Sequence, residues 1–124
     1  MENFFSDNPD ILWHFEHLEL DEIIANAEDD FTQSARFDDA PTSAADAREG
    51  YRAVLDMLGA IAAQEIAPLA AEVDLEGARF EHGEVTYARG TRRALAVLAR
   101  AGLMGFTLPR THGGLNIPGV LYTI

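Results

Sequence analysis

The spacing of apolar residues along this chain of 124 residues is helical almost throughout. In residues 8–18, Ile11, Phe15 and Leu18 recur at intervals of four and three, which places them on one face of a helix. The same spacing brings Ile24, Ala27 and Phe31 together in a second predicted helix over residues 21–31. Candidate N-caps for the first helix are Asp7, Asn8 and Asp10, and Pro9 suits its first turn.

Residues 32–42 are polar, contain Pro41 and are predicted to form a linker. The strongest helical pattern starts at about Ser43, and either Thr42 or Ser43 can cap it. Pro68 has no N–H, so it is expected to kink or end this helix near Ala67. The apolar stripe of this helix comprises Ala47, Tyr51, Val54, Leu55, Leu58, Ile61, Ala62, Ile66 and Leu69.

The last third of the chain is predicted to contain a loop over residues 71–85 and a further helix over 87–101. Gly102 is a natural residue to end that helix. No pair of segments has a convincing strand pattern, so the fold class is all-α, a bundle-like arrangement of helices. In the helix over 87–101, the residues expected to face inward are Leu95, Leu98 and Ala99, and those expected to face outward are Arg92, Arg93 and Arg100.

The net charge of −12 is concentrated in the first part of the chain. Residues 1–49 contain fourteen carboxylates against two arginines, whereas residues 50–124 contain seven of each. An acidic surface repels phosphate backbones, so nucleic-acid binding is disfavoured. The absence of lysine removes Schiff-base chemistry, and the absence of cysteine removes thiol chemistry. Neither a signal peptide nor a membrane span is predicted, and the expected compartment is the cytoplasm.

Few residues suggest chemistry on their own. Asp10, His14, His17 and Asp21 would share one helical stripe if the first helix ran that far, and such ligands suit zinc or iron. A polar helix face with Asp–His pairs explains the same pattern, and no metal site is assigned. His112, beside two glycines, is either a proton carrier or a surface imidazole in a turn. Two carboxylate clusters are interpreted as solvated acidic surface: Glu28, Asp29 and Asp30, and Asp38 and Asp39.

The stretch "RAGLMGFTLPRTHGGLNIP" (residues 100–118) concentrates residues that permit or restrict unusual backbone conformations. Leu103–Leu108 are expected to pack in the core until Pro109 ends the segment. Gly113 and Gly114 allow a tight turn, and Pro118 is suited to start a new helix at "PGVLYTI".

Together with "IAAQEIAPLAAEVDLEG" (61–77) and the arginine-bearing helix, this order of motifs resembles the N-terminal helical domain of acyl-CoA dehydrogenases. The resemblance covers about residues 47–124 and assigns residues 41–124 to that domain. Residues 1–40 resemble the N-terminal extension of the larger bacterial members. Asn116 departs from the pattern, in which glycine is common after "GGL", but asparagine also tolerates left-handed backbone.

The resemblance implies the N-terminal part of a three-domain enzyme that oxidises acyl-CoA thioesters with FAD and passes electrons to an electron-transferring flavoprotein. A homo-oligomer is expected. The family's catalytic base and most flavin contacts lie in regions beyond this stretch, so no catalytic residue is assigned here and the chain is expected to be an inert fragment without bound FAD. Val120, Leu121 and Ile124 are predicted to face the acyl chain, with core packing as an equal alternative. A second hypothesis is an independent, non-enzymatic helical interaction module with an acidic arm.

Overall fold

The computed structural model describes residues 1–124 and is mostly helical. This confirms the predicted fold class, with one small hairpin added. The helices are α1 (Pro9–His17), α2 (Asp21–Ala27), α3 (Ala44–Ile61), α4 (Ala70–Glu76) and α5 (Arg89–Arg100), and the strands are β1 (Arg79–Glu81) and β2 (Glu84–Thr86). Short 3-10 turns occur at Thr32–Ala35, Leu103–Gly105, Arg110–His112 and Gly119–Tyr122.

The beginning of α1 follows the prediction, because Asn8 is its N-cap and Pro9 occupies its first turn. The Asn8 side-chain oxygen accepts hydrogen bonds from the backbone N–H groups of Asp10 and Ile11, at 3.1 and 3.2 Å. The prediction for the second helix is wrong at its end: α2 stops at Ala27 rather than at residue 31. The reason is local backbone conformation, since residues 29–31 all have positive φ, between 51° and 65°.

The long helix begins where the sequence indicates. The Ser43 hydroxyl accepts a hydrogen bond from the backbone N–H of Asp46 at 3.2 Å. At Gly59 the N-terminal turn lies directly against α3, and Phe4 N–H donates to the Gly59 carbonyl at 3.1 Å. A Cβ atom at residue 59 would lie 2.6 Å from the backbone nitrogen of Phe5, so this close contact depends on glycine. The buried face of α3 comprises Ala47, Tyr51, Leu55 and Gly59.

Pro68 interrupts the α-helical hydrogen bonds without ending the helical run. A π-helical turn at Ala62–Ile66 and a 3-10 turn at Ala67–Leu69 accommodate the missing N–H before α4 begins. The run Ala44–Glu76 contains 33 residues and has a window of mean hydropathy 1.4, which is long and apolar enough to cross a membrane. That property concerns length and composition alone and does not show a membrane span.

The region predicted as a loop over residues 71–85 is largely ordered as α4 and a hairpin. Gly77, with a φ of 62°, ends α4. Strands β1 and β2 pair antiparallel, with Phe80 opposite Val85. The two residues that connect them, His82 and Gly83, have φ values of 53° and 82°, as a tight hairpin turn requires. Sequence periodicity missed the hairpin because both strands are only three residues long and fully exposed.

Helix α5 contacts α4 through a small residue. A Cβ atom at Gly90 would lie 2.4 Å from the Val73 side chain, so the two helices approach closely there. This contact fixes the rotation of α5: Leu98 packs against the core, but Leu95 and Ala99 are exposed, and the prediction that both face inward is wrong. The three arginines predicted to face outward are exposed: Arg92, Arg93 and Arg100.

One hydrophobic core joins the predicted N-terminal extension to the rest of the chain. Leu20 and Ile24 are completely buried and pack in the same cluster as Tyr51 of α3 and Phe106 of the C-terminal segment. Residues 1–40 therefore pack as an integral layer of this structure. The full cluster comprises Phe5, Phe15, Leu20, Ile24, Ala47, Tyr51, Leu55, Leu103, Phe106, Ile117 and Leu121.

Candidate functional site

The glycine- and proline-containing segment folds into a compact loop closed by backbone hydrogen bonds. Leu115 N–H donates to the Gly105 carbonyl at 2.9 Å, and Ile117 N–H donates to the Phe106 carbonyl at 3.1 Å. Because of these two bonds, residues 115–117 lie alongside residues 105–106. Within residues 103–108 only Leu103 and Phe106 are buried, so the expectation that the whole stretch packs in the core is correct for those two positions alone.

The turn of this loop depends on the two glycines as the sequence predicts. Gly113 has a φ of 78°, in the left-handed region that favours glycine. A Cβ atom at Gly114 would lie 2.0 Å from the carbonyl oxygen of Leu108, so this position has no space for a side chain. Asn116 has a φ of 55°, which confirms that asparagine can replace glycine at this point of the turn.

Arg110, in this loop, forms a buried ion pair with Glu28, which follows α2. The Glu28 side chain has no exposed surface, and the Arg110 side chain is 5% exposed. Both terminal nitrogens of the guanidinium donate to the carboxylate, NH1 to Oε2 and NH2 to Oε1, the latter at 3.2 Å. The interpretation of Glu28 as solvated surface is therefore wrong, whereas its neighbours Asp29 and Asp30 are exposed as predicted.

Two further polar side chains donate to the Glu28 carboxylate. The Tyr51 hydroxyl and the Asn116 amide each donate to Oε1 at 3.3 Å. Burial, reinforced by the negative charge of Glu28, raises the pKa of Tyr51 well above its ordinary value. The Arg110 guanidinium also donates to the Gln33 side chain at 3.2 Å. With its charge balanced by Arg110 and its oxygens occupied by hydrogen-bond donors, the carboxylate is suited to a structural role.

A cleft of about 470 Å³ opens beside this cluster. Arg110 and Tyr51 contribute to its inner wall. The Nε atom of Arg110 is buried without a hydrogen bond, 3.6 Å from the Asp39 carboxylate. The acidic residues that line the cleft are Asp38, Asp39, Asp46 and Glu49. Since Arg110 is neutralised by Glu28, the cleft is strongly negative and disfavours phosphates.

The four candidate metal ligands of the sequence analysis do not form a metal site in the structure: Asp10, His14, His17 and Asp21. His17 is instead held on α1, where its Nδ1 donates to the Trp13 carbonyl at 2.8 Å and its ring stacks on Trp13 with centroids 4.4 Å apart. Asp21 pairs with Arg48 at 3.1 Å. No group of three or more histidine, aspartate or glutamate side chains is arranged to hold a metal ion. His112 is exposed at the end of its 3-10 turn.

The residues predicted to face the acyl chain lie on the 3-10 turn Gly119–Tyr122 and just after it. Leu121 is 2% exposed and belongs to the core, which favours packing as its role in this structure. Val120 and Ile124 are partly buried against the same core. Ile124 also lines an apolar cleft of about 140 Å³, next to Phe4 and other residues of the N-terminal turn and α3. Contact with an acyl chain stays a prediction for all three.

The ion pair is the feature that sequence reasoning missed. A signal was present, because Glu28 follows Ile24 by four residues and so falls on the apolar stripe of α2. A glutamate on a buried stripe requires a cationic partner, but nothing in the sequence connects Glu28 with Arg110, 82 positions away.

Comparison with known proteins assigns the larger part of the chain to a family. Residues 48–124, more than half of the chain, match the family model described as acyl-CoA dehydrogenase, N-terminal domain. The chain is also similar to a 3-methylmercaptopropionyl-CoA dehydrogenase of Ruegeria pomeroyi, with 36% identity over 70 residues. That stretch covers 56% of this chain and 12% of the relative, so the chain spans only a small part of the relative's length. No solved structure matches the chain significantly.

Proposed function

Since the chain belongs to the acyl-CoA dehydrogenase family through that family's N-terminal domain, we propose that it forms the helical N-terminal portion of an FAD-dependent acyl-CoA dehydrogenase. The family match over residues 48–124 is the observation that carries the proposal. The relative named as a dehydrogenase of an acyl-CoA thioester supports the same class of substrate. The proposed activity of the assembled enzyme is α,β-dehydrogenation of an acyl-CoA, with an electron-transferring flavoprotein as the electron acceptor and a homo-oligomer as the assembled form.

The part proposed for this chain is one wall of the acyl site, formed by residues 119–124. Leu121 anchors this segment, because its side chain is buried in the core. Val120 and Ile124 are only partly buried and retain surface that an acyl chain can contact. Apolar side chains on a segment fixed at its centre suit the recognition of a hydrocarbon tail, which offers no hydrogen bonds.

Electrostatics disfavour FAD binding in the larger cleft of this chain. The larger cleft is lined by four carboxylates, and its one arginine is already paired with Glu28. A flavin diphosphate placed there would meet net negative charge, without a free cation to bind it. No catalytic step is therefore assigned to residues of this chain, and flavin binding is proposed for the assembled enzyme only.

The test compares the 124-residue protein with the longest in-frame product of the locus that encodes it. Both are purified, and their flavin absorbance and their reduction of an artificial dye with a panel of acyl-CoA thioesters are measured. The expected result is a colourless, inactive short protein and a yellow, active longer product. A longer product that neither binds flavin nor oxidises any acyl-CoA would refute the proposal. A yellow and active short protein would refute the absence of a flavin site in these residues.

The alternative of an independent interaction module with an acidic arm has less structural support. Such an arm needs to be free to reach a partner, but Phe5, Phe15 and Ile24 of the N-terminal segment are buried in the core. The same two proteins test this alternative. If the chain is an independent module, the short protein is expected to form a specific complex with a basic protein, and the longer product is expected to lack dehydrogenase activity.

A further inference from the structure

We propose that Glu28 is a positioning residue. It holds the loop of residues 109–118 in the conformation that places residues 119–124 at the proposed acyl site. It acts through Arg110 and Asn116, which both donate hydrogen bonds to its carboxylate. The proposal rests on the proposed function only where it assigns residues 119–124 to the acyl site. By this proposal, the N-terminal segment contributes to substrate binding without contacting substrate.

The geometry that carries this inference is the position of the two partners in the loop. Arg110 follows the proline that opens the loop, and Asn116 precedes Ile117 and Pro118, which close it. One carboxylate therefore ties together the beginning and the end of the loop. The Asn116 amide also donates to the Ala27 carbonyl at 2.9 Å, which adds a second connection to the N-terminal segment.

The support on the N-terminal side is itself fixed. Leu20 and Ile24 have no exposed surface, so α2 cannot shift without opening the core. The Arg48 guanidinium of α3 donates to the Leu18 carbonyl at 3.0 Å and to the Asp21 carboxylate at 3.1 Å. Glu28 thus lies at the end of a helix that is held from two sides, and it can impose its position on the loop.

The loop transmits this position to the residues that follow it. Ile117 and Pro118 are buried, and the Pro118 carbonyl accepts the Leu121 N–H at 3.0 Å, which starts the 3-10 turn of residues 119–122. A displacement at Asn116 therefore reaches the turn within three residues. In contrast, the tip of the loop at residues 111–113 is exposed, and the backbone N–H groups of His112 and Gly113 donate only to carbonyls within the loop, those of Pro109 and Arg110.

The first experiment measures amide hydrogen exchange in the 124-residue protein and does not depend on any enzymatic activity. Two variants are made: Glu28→Gln, which removes the charge, and Asn116→Gly, which is compatible with the positive φ and removes the side-chain hydrogen bonds. Glu16→Gln is the matched control, because Glu16 pairs with an arginine at the surface. The amides of Leu115 and Ile117 report on the loop, and those of α5 report on global opening.

The expected result is a rise of about tenfold or more in exchange at Leu115 and Ile117 in both variants, with α5 unchanged in Asn116→Gly and the control like wild type. In Glu28→Gln, α5 is also expected to exchange faster, because an Arg110 without its partner lowers the free energy of unfolding. If Glu28→Gln unfolds the protein, Asn116→Gly alone decides, because glycine fits the backbone there. Unchanged exchange at the loop amides in Asn116→Gly would overturn the proposal.

The second experiment uses the longer product and separates positioning from general stability. Positioning predicts that Asn116→Gly raises KM for the acyl-CoA about threefold or more while kcat changes less than about twofold. Equal losses in kcat and flavin content, with KM unchanged, would overturn the assignment and indicate a structural role only. If the longer product has no dehydrogenase activity, the proposed function fails, and the exchange data still decide whether Glu28 controls the loop.

Discussion

Removal of either charge from the buried pair of Glu28 and Arg110 is expected to be among the most destabilising changes in this chain. Neither side chain has more than 5% of its surface exposed, so solvent screens the remaining charge very little. Removal of one member of such a pair typically costs about 3–5 kcal/mol. A domain of this size has a free energy of unfolding of about 5–15 kcal/mol, so each single variant loses a large fraction of it.

The double variant provides the decisive comparison. Arg110→Met and Glu28→Gln each leave one buried charged group without its partner. The combination leaves no buried charge, and its glutamine can still accept a hydrogen bond from the Tyr51 hydroxyl. We therefore expect the double variant to lose less than the sum of the single losses, by about 2–3 kcal/mol. Glu16→Gln, at an exposed ion pair, is expected to cost less than about 1 kcal/mol.

Urea unfolding followed by circular dichroism measures all of these free energies. Wild type, the two single variants and the double variant are compared at one pH and one ionic strength. Equal m-values confirm that their unfolded states are comparable. Single losses below about 1 kcal/mol, or strictly additive losses, would refute the argument. Either result would mean that the carboxylate and the guanidinium are solvated and independent.

Three further changes test other parts of the structure. Gly114→Ala places a Cβ atom 2.0 Å from the Leu108 carbonyl oxygen and is expected to lower the free energy of unfolding by about 1–3 kcal/mol, measured by thermal unfolding. Gly119→Ala is the control and should cost much less, because there is open space around Gly119. Equal losses in the two variants would contradict the close contact at Gly114. Leu121→Ala in the core should cost about 2–5 kcal/mol by urea unfolding, and a loss below 1 kcal/mol would place this side chain outside the core. Burial raises the pKa of Tyr51 above 10.0, so this group's contribution to stability is fully present below pH 10 and falls as the pH rises further. Unfolding measured on both sides of pH 10 should show this decline in wild type and a weaker one in Tyr51→Phe, and identical profiles would refute it.

Local rules in the sequence determined most of the helical architecture. The Asn8 and Ser43 caps, the stripe of α3 and the end of α5 at Gly102 lie where short-range patterns predict them. Each of these features depends on residues within four positions of one another, and that range is what periodicity and capping rules describe. The family resemblance was also available from the order of motifs, and the match over residues 48–124 confirms it.

Only the tertiary structure decided which faces and which charges are buried. Leu95 follows the helical apolar pattern but is exposed, because the close contact at Gly90 sets the rotation of α5. Glu28 lies in an acidic run typical of a surface but is completely buried, because Arg110 neutralises it from a distant part of the chain. Composition gives the charge of a residue, but its solvation depends on which distant groups the fold brings within reach.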